Sequence, residues 1–473
     1  MTLGQKADCQ RYASCSAVAP RYQQQLDCRL QAQGFARNEL HRSLSPLAAG
    51  RRRGIAFSGG LESSGLLHAP AALRTQLQCE LRAVHLDPGL HPRSSAWSAH
   101  CAAVCTGLDI PLTTAHLRLD PGAGESVEAV ARAARYQRFS ELLGPGDLLA
   151  TAQHRDDQAE TLLLALLRGS GVHGLAAMPS TAPLGHGMLV RPLLGFSRSA
   201  LAEHARRAGI VWIEDPSNAD AGFDRNRLRH QVLPALRERW PSFDRTLARS
   251  AAQCAEAAEL LDGVADQWIA GLMGSRPHTL SIDGLRALSR PRCRLVLRRW
   301  LQREGFLLPS RATLERVIDE LLQAACDRTP LVAWRGCEVR RYRRDLYALA
   351  PLPPTPQQTL RWSGDQPLRL PNGLGRLELD TKPSGLPVLH VCFGRAGLRC
   401  RVGDAPSRTL KKLYQEAGVP AWLRAYVPLL LLGSELAAVA GVSQCDARLA
   451  GLRWCAHPWV RYGLVRRSVP ADA

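Results

Sequence analysis

A short glycine loop between a strand and a helix constrains the fold of this 473-residue chain more than any other feature. Residues 54–57, Gly-Ile-Ala-Phe, predict a buried strand, and a helix is expected over 64–77. The loop between them reads Ser58-Gly59-Gly60-Leu61-Glu62-Ser63. Glycines let backbone N–H groups approach an anion, and the start of the helix adds a partial positive charge. The pattern favours phosphate binding over a serine-capped turn, and it lacks the Gly-Lys-Ser/Thr ending of a Walker loop.

Strand-like and helical segments alternate through the first half of the chain. Strands are predicted over 82–86, 112–119 and 147–152, and helices over 97–107, 127–143 and about 156–168. This alternation predicts an α/β domain built on a doubly wound parallel sheet whose faces are covered by helices.

The remainder of the chain predicts two further regions joined by a proline-rich linker at 351–356. Helices are expected over 249–272, 290–303, 311–325 and 410–417, and strands over 331–334 and 346–349. The expected domains are an extension without assigned function (1–50), the α/β domain (51–240), a helical domain (245–350) and a small α+β domain (360–465).

The charge of the chain favours a polyanionic partner. Lysine and arginine number 61 against 42 aspartate and glutamate residues, which gives a net charge of +19. Each phosphate that a basic protein neutralises releases counterions, so nucleic acid is the favoured partner. A basic surface that only aids solubility, or an arginine bias of the genome, is the alternative.

The sequence predicts a cytoplasmic protein that does not cross a membrane. It has no apolar run of the length that a membrane span needs, and it lacks an apolar leader near Met1. The 14 cysteines are scattered without a Cys-x-x-Cys pair, so we expect reduced core residues instead of a zinc site.

Carboxylates cluster where the 147–152 strand passes into the next helix. His154 is followed by Asp156, Asp157 and Glu160. Asp157 and Glu160 are three residues apart, so they lie on one helical face. Acidic residues in a first turn often only complement the helix dipole. Their position after a strand end, where α/β sheets bind ligands, favours a functional site.

Two arginines lie on one face of the predicted 127–143 helix. Arg132 and Arg135 are three residues apart in the run Ala-Arg-Ala-Ala-Arg-Tyr. A solvated basic face is the ordinary explanation of such a pair, and phosphate binding is the functional one.

The loop resembles the Ser-Gly-Gly-x-Asp-Ser signature of the PP-loop ATP pyrophosphatases, and from about 50 to 465 the chain is similar to the tRNA(Ile)-lysidine synthetase family. The resemblance implies a PP-loop, Rossmann-like α/β domain, a helical second domain and a C-terminal tRNA-binding domain, with a further strand over 191–194. It implies a ligase that uses ATP and Mg²⁺ to join L-lysine to C2 of the wobble cytidine in tRNA(Ile) with a CAU anticodon. An adenylated cytidine is the intermediate, and AMP and pyrophosphate are released. A homodimer is considered as the oligomeric state.

The same resemblance implies roles for individual residues. The whole loop would bind ATP, with Glu62 as a ligand of Mg²⁺. Arg132, Arg135 and His154 would act with Glu62 at the reacting nucleotide, and Asp157 and Glu160 would receive the ammonium groups of lysine. The tRNA backbone would be bound by Arg227, Arg229, Lys411, Lys412 and Arg424.

Two departures from the family pattern concern the metal. Glu62 stands where the signature has aspartate, and the second strand ends in Leu86-Asp87-Pro88-Gly89-Leu90. Mg²⁺ demands near-ideal geometry, so the added methylene of Glu62 could displace a ligand. We hypothesise that Asp87 offers a replacement carboxylate.

Two other functions stay open at this point. One is a tRNA thiolase of the same superfamily, which would need paired cysteines near the site. The other is a degenerate tRNA-binding protein whose loop no longer turns over ATP.

Overall fold

The computed structural model describes residues 43–44, 52–74, 80–122, 126–216, 224–325, 328–381, 383, 385–401 and 406–464. The predicted N-terminal extension lies outside the described residues, apart from its residues 43 and 44. The chain forms two compact units, Met1–Glu259 and Leu260–Ala473, and the division falls within a long helix. The predicted boundary between the second and third domains stays a prediction.

The first unit contains a six-stranded sheet in the order β3-β2-β1-β4-β6-β5. Its strands are β1 (Arg53–Ala56), β2 (Leu81–Asp87), β3 (Leu112–His116), β4 (Leu148–Ala150), β5 (Thr181–Leu184) and β6 (Gly187–Val190). The first four strands and β6 are parallel, whereas the edge strand β5 runs antiparallel to β6. The predicted α/β fold with a doubly wound sheet is therefore confirmed.

Helices alternate with the strands of this unit as far as β4, and further helices follow β6, the last of which continues into the second unit. They are α1 (Leu61–Ala72), α2 (Ser94–Gly107), α3 (Val127–Leu142), α4 (Arg155–Leu167), α5 (Val172–Leu175), α6 (Arg198–Arg207), α7 (Asp224–Arg227), α8 (Leu233–Arg239) and the long α9 (Phe243–Gly271). A π-helical turn, Leu228–Val232, joins α7 to α8. Ile55 and Phe57 of the β1 segment pack with Leu66 and Leu67 of α1 in one buried core.

Strand β1 lies at the switch point of the sheet: β2 and β3 are added on one side of it and β4 on the other. It pairs with β2 on one side and with β4 on the other. Because β2 and β3 lie to one side and β4 to the other, the carboxyl ends of β1 and β4 border a crevice. Open α/β sheets bind their ligands at such switch points.

The second unit begins with helices packed on an antiparallel sheet in the order β7-β10-β9-β8. Its elements are β7 (Leu280–Ser281), α10 (Ile282–Arg286), α11 (Arg290–Arg303), α12 (Arg311–Arg316), a π-helical turn (Val317–Leu322), β8 (Leu331–Trp334), β9 (Cys337–Tyr342) and β10 (Asp345–Leu349). Strand β10 lies between β7 and β9 in this sheet, and every one of its residues is buried.

Short antiparallel strands dominate the C-terminal part. Five form the sheet β11-β14-β17-β18-β19, three form β12-β13-β20, and two form β15-β16. They are β11 (Leu360–Trp362), β12 (Leu368–Arg369), β13 (Arg376–Leu379), β14 (Leu389–Cys392), β15 (Arg399–Cys400), β16 (Arg408–Thr409), β17 (Leu429–Leu432), β18 (Glu435–Val439), β19 (Ser443–Gln444) and β20 (Leu452–Cys455). Helix α13 (Leu410–Glu416) is capped by the side chain of Thr409, and a 3₁₀ helix covers Ala421–Tyr426.

Several predicted boundaries are corrected by the structure. Helix α1 begins at Leu61, not at residue 64, because the extended backbone of Gly60 already forms its N-cap. Residues 191–194 form turns after β6 and not a strand. Strand β9 was not predicted, whereas the prediction of a helix over Arg290–Arg303 is confirmed at both ends.

The structure pairs two cysteines that we expected to be reduced. Cys400 and Cys445 form a disulfide, with their Cα atoms 5.6 Å apart. Five other cysteines are buried free thiols, as expected: Cys101, Cys105, Cys293, Cys337 and Cys392.

None of the helices in the described part of the chain combines the length and apolar character that crossing a bilayer requires.

Candidate functional site

A cavity of about 360 Å³ opens at the carboxyl ends of β1, β2 and β4. Its size lies in the range of pockets for small ligands. It is lined by Ala56, Phe57, Ser58, Glu62, Ser63, Val84, Leu86, Arg132, Arg135, Tyr136, Phe139, Thr151, Ala152, Gln153, His154, Asp157, Arg198, Arg225, Arg229 and His230. The cavity thus unites the glycine loop, the acidic cluster and the arginine helix, which are far apart in sequence.

The glycine loop wraps the N-terminus of α1 at one wall of this cavity. Gly59 has φ +79°, and a Cβ atom there would meet Cys101 Sγ and Ile213 Cδ1 at 3.1 Å each. The Oγ atoms of Ser58 and Ser63 lie 3.0 Å apart. The loop therefore presents hydroxyl groups and the first N–H groups of a helix, which suits an anion.

Glu62 is held by a cation that the sequence did not identify. The Nε atom of Arg198 donates to Glu62 Oε1 at 2.8 Å. The Nε2 atom of His154 lies 3.9 Å from the same oxygen. Helix α6 therefore brings a guanidinium directly to the loop acid.

His154 lies among three carboxylates and is almost fully buried. Its Nε2 is 3.4 Å from Asp157 Oδ2, and its Nδ1 is 3.4 Å from Asp156 Oδ2. Burial lowers the pKa of His154, but the Asp156 carboxylate and the charges of Asp157 and Glu62 outweigh it, so the pKa is raised. The surrounding carboxylates thus stabilise the protonated imidazole relative to the neutral one.

Asp156 fixes the first residue of helix α6. Its Oδ2 accepts from the backbone N–H of Arg198 at 2.8 Å, and its Oδ1 accepts from Arg237. Burial raises the pKa of Asp156, yet the bonds from His154 and the Arg198 amide, with the charge of Arg237, leave it well below its usual range.

The two acids predicted to bind lysine are held by two arginines. Glu160, whose side chain is 0% exposed, accepts from Arg225 Nε at 2.6 Å and from Arg229 Nε at 2.7 Å. Asp157 Oδ1 accepts from Arg225 Nη2 at 3.0 Å, and its Oδ2 accepts from the N–H of His154 at 2.9 Å. The structure therefore places Arg229 inside the cavity, beside the acids.

The α3 arginines also line the cavity. The guanidinium of Arg132 lies over the ring of Tyr136, 5.0 Å from its centroid. Burial lowers the pKa of Arg135, and the nearby charge of Arg132 lowers it further. The Nε atom of Arg135 is buried and finds no hydrogen-bond partner among the described residues. Such a guanidinium is suited to receive an anionic ligand.

The other residues predicted to bind tRNA lie outside the cavity lining. Arg227 donates to Gln231 at 3.3 Å. In the second unit, Lys411 and Lys412 are exposed on α13, whereas Arg424 donates to the carbonyl of Val419 and lies over the Tyr414 ring. The two lysines are thus open to a partner, and Arg424 also braces the fold.

The described residues do not form a group of three or more metal-binding side chains. Asp87 does not line the cavity; its Oδ1 accepts from the N–H of Gly89, and its Oδ2 lies 3.2 Å from His116 Nδ1. The structure therefore gives no support to Asp87 as a replacement metal ligand.

Sequence reasoning missed Arg198 and Arg225 as cavity residues and assigned Arg229 elsewhere. Arg225 and Arg229 are four residues apart, so a shared helical face could have been predicted. No local signal linked either of them, or Arg198, to the glycine loop or the acids.

The domains of the chain match three family models. Residues 33–236 match the PP-loop domain, 280–347 the TilS substrate binding domain, and 389–455 the TilS substrate C-terminal domain. The first unit therefore contains a PP-loop domain.

Curated relatives extend the match to most of the chain. The tRNA(Ile)-lysidine synthase of Methylococcus capsulatus is 42% identical over 423 residues, which covers 86% of this chain and 96% of the relative. That of Edwardsiella ictaluri is 43% identical over 413 residues, covering 85% and 94%. The chain belongs to the tRNA(Ile)-lysidine synthase family.

Proposed function

We propose that this chain ligates L-lysine to C2 of the wobble cytidine in a tRNA(Ile) with a CAU anticodon, using ATP, in the bacterial cytoplasm. The cavity at the switch point carries this proposal, because it joins a phosphate-binding loop to an acidic cluster. In the first step the cytidine O2 attacks the α-phosphate of ATP and pyrophosphate leaves. In the second step an amine of lysine attacks C2, AMP leaves, and the amine loses a proton.

The loop and the arginines support the first step. The N–H groups at the start of α1 and the hydroxyls of Ser58 and Ser63 hold the phosphates of ATP. Arg135 and Arg132 stabilise the negative charge that spreads over the α-phosphate as the new bond forms. His154, when protonated, adds a further positive charge next to the loop.

The acids Asp157 and Glu160 support the second step as the lysine subsite. Their negative charge suits the ammonium groups of lysine, and Glu160 is buried within the unit. Both acids already hold Arg225 and Arg229, so lysine has to share or displace a guanidinium. Displacement would need the side chains of Arg225, on α7, and Arg229, on the π-helical turn Leu228–Val232, to move.

In this cavity Mg²⁺ would take its ligands from both the protein and the phosphates of ATP. In proteins this ion usually takes one or two carboxylates and completes its shell with substrate phosphates and water. Glu62 is the carboxylate of the loop that would hold it, and the bound ion would neutralise charge on the phosphates of ATP.

The exposed lysines of α13 and the net charge of +19 support tRNA binding. Lys411 and Lys412, together with Arg227 and Arg424, would contact phosphates of the tRNA backbone. Such contacts supply affinity and orientation without reading the sequence.

One assay tests the proposal. The protein is incubated with ATP, Mg²⁺, labelled lysine and a tRNA(Ile) transcript with a CAU anticodon. We expect labelled lysine on the tRNA, with AMP and pyrophosphate in equal amounts. A transcript whose wobble cytidine is replaced by uridine is the matched control and should take up no lysine. A folded preparation that forms none of the three products with the first transcript would refute the proposed function.

A further inference from the structure

We infer that Arg198 is a further catalytic residue, which binds the pyrophosphate part of ATP, and that Glu62 is the positioning residue that holds it there. The inference rests on the proposed use of ATP at the glycine loop. It assigns to Glu62 a role in addition to the metal ligation that the resemblance implies.

The first observation is the position of Arg198. Its side chain lines the same cavity as Ser58 and Ser63. It reaches the first turn of α1, because its Nε donates to Glu62 Oε1 at 2.8 Å. A guanidinium bonded to the second residue of that helix lies beside the N–H groups that are proposed to hold the phosphates.

The second observation is the way in which Arg198 is anchored. Its backbone N–H donates to Asp156 Oδ2 at 2.8 Å, so the main chain is fixed to the acidic cluster. The side chain is 55% exposed, and within the described part of the chain only its Nε is bonded to a carboxylate. Both Nη atoms therefore stay available for the paired bonds that arginine forms with phosphate.

The third observation is the contrast with three other arginines that line the cavity. Arg225 and Arg229 are bonded to Asp157 and Glu160. Arg132 lies over the ring of Tyr136. Arg198 is instead the cavity arginine bonded to the loop itself.

The ion pair between Arg198 and Glu62 changes the charge that the loop presents to the phosphates. A carboxylate in the first turn of α1 would repel the phosphates that the loop receives. Arg198 neutralises that carboxylate and adds donors facing the anion. Glutamate is one methylene longer than the aspartate of the Ser-Gly-Gly-x-Asp-Ser signature, and its Oε1 accepts from the guanidinium of α6 at 2.8 Å.

Pyrophosphate binding without metal tests the inference, because it separates Arg198 from any role of Mg²⁺. The full-length protein is titrated with pyrophosphate in EDTA by calorimetry. Arg198→Ala should weaken binding about tenfold or more, the effect of losing a charge-assisted hydrogen bond. Arg198→Lys should bind pyrophosphate with an affinity between those of the wild type and Arg198→Ala, since an ammonium cannot make the forked contact. Arg206→Ala removes an exposed arginine from the same helix and should bind like the wild type.

Glu62→Asp tests the positioning role, because it keeps the charge and shortens the side chain. We expect weaker metal-free binding in this variant and no added loss when it is combined with Arg198→Ala. In the assay with MgATP, Arg198→Ala should raise KM for ATP at least as much as it lowers kcat. Equal melting temperatures establish that the variants fold.

Two results would overturn the inference. If wild type and Arg198→Ala bind pyrophosphate equally, Arg198 does not contact it. If Glu62→Asp changes binding only when Mg²⁺ is present, Glu62 acts through the metal and not through Arg198. A wild type that binds neither ATP nor pyrophosphate would refute the proposed function itself, which is a different outcome from either of these.

Discussion

At the scale of single residues, the conformation of Gly59 decides whether the phosphate loop can form. Its φ of +79° lies in the left-handed region, and a Cβ would press on Cys101 and Ile213. Gly59→Ala should therefore lower the free energy of unfolding by about 1–2 kcal/mol and weaken ATP binding. Urea denaturation and calorimetry measure the two effects.

Gly65 provides the matched control for this substitution. It lies in α1, only six residues away, and a Cβ there would meet no atom within 4 Å. Gly65→Ala should be neutral or stabilise the protein by up to about 1 kcal/mol, since alanine favours helix interiors. Equal destabilisation by both substitutions would contradict the role given to Gly59.

The protonation of His154 is a second prediction at this scale. Its pKa is raised in the folded protein by Asp156, Asp157 and Glu62, which outweigh the cost of burial. A raised pKa adds stability that is fully present below the ordinary value of about 6.5 and is lost as the pH rises through the folded value. The stability difference between wild type and His154→Gln should thus shift in favour of the wild type toward low pH.

Urea denaturation between pH 5 and pH 9 measures this difference. A difference that stays constant over the range would mean that His154 does not carry the raised pKa.

At the scale of elements, the acidic face of α4 fixes the segment of α7 and the following π-helical turn. Glu160 is fully buried and accepts from both Arg225 and Arg229. Removing one partner of a buried ion pair leaves the other charge uncompensated, which commonly costs about 3–5 kcal/mol. Glu160→Gln should destabilise the protein by about 3 kcal/mol and speed hydrogen exchange in 224–232, and it should abolish lysine transfer.

Glu203→Gln is the control for this prediction. Glu203 forms an exposed pair with Arg207 one helical turn away, and such pairs contribute about 0.3–0.5 kcal/mol. The hydrogen-exchange pattern and the activity of Glu203→Gln should match those of the wild type. Unchanged exchange at 224–232 in Glu160→Gln would show that the acids do not hold this segment.

At the scale of the whole molecule, the excess of positive charge predicts a strong salt dependence of tRNA binding. Each phosphate contact contributes about 0.7–0.9 to the slope of log affinity against log salt concentration. Lys411→Ala and Lys412→Ala should each reduce the slope by nearly one unit and weaken binding of all tRNAs alike. Filter binding at several salt concentrations gives the slopes.

Arg316→Ala serves as the control, because this exposed arginine is already paired with Glu320 in the same unit. Its slope should equal that of the wild type. Slopes that do not change in the two lysine variants would exclude α13 from the tRNA-binding surface.

The amino-acid sequence alone predicted the alternation of strands and helices from β1 to α4 and the position of the glycine loop between β1 and α1. These features depend on neighbouring residues: apolar runs predict strands, and glycines before a helix predict an anion site. It also placed Asp157 and Glu160 on one helical face, because their spacing of three residues is a local property. Chain spacing likewise paired Arg132 with Arg135.

The contacts of those residues depend on the tertiary structure. Arg198 meets Glu62 across 136 residues, and Arg225 and Arg229 meet Glu160 across 65 and 69. The pairing of Cys400 with Cys445 across 45 residues is of the same kind. Local patterns carry no information on such contacts, because they depend on how strands are ordered in a sheet and where each helix packs. The glycine loop could therefore be predicted from the sequence, whereas the ion pair on Glu62 and the arginines on the acids could not.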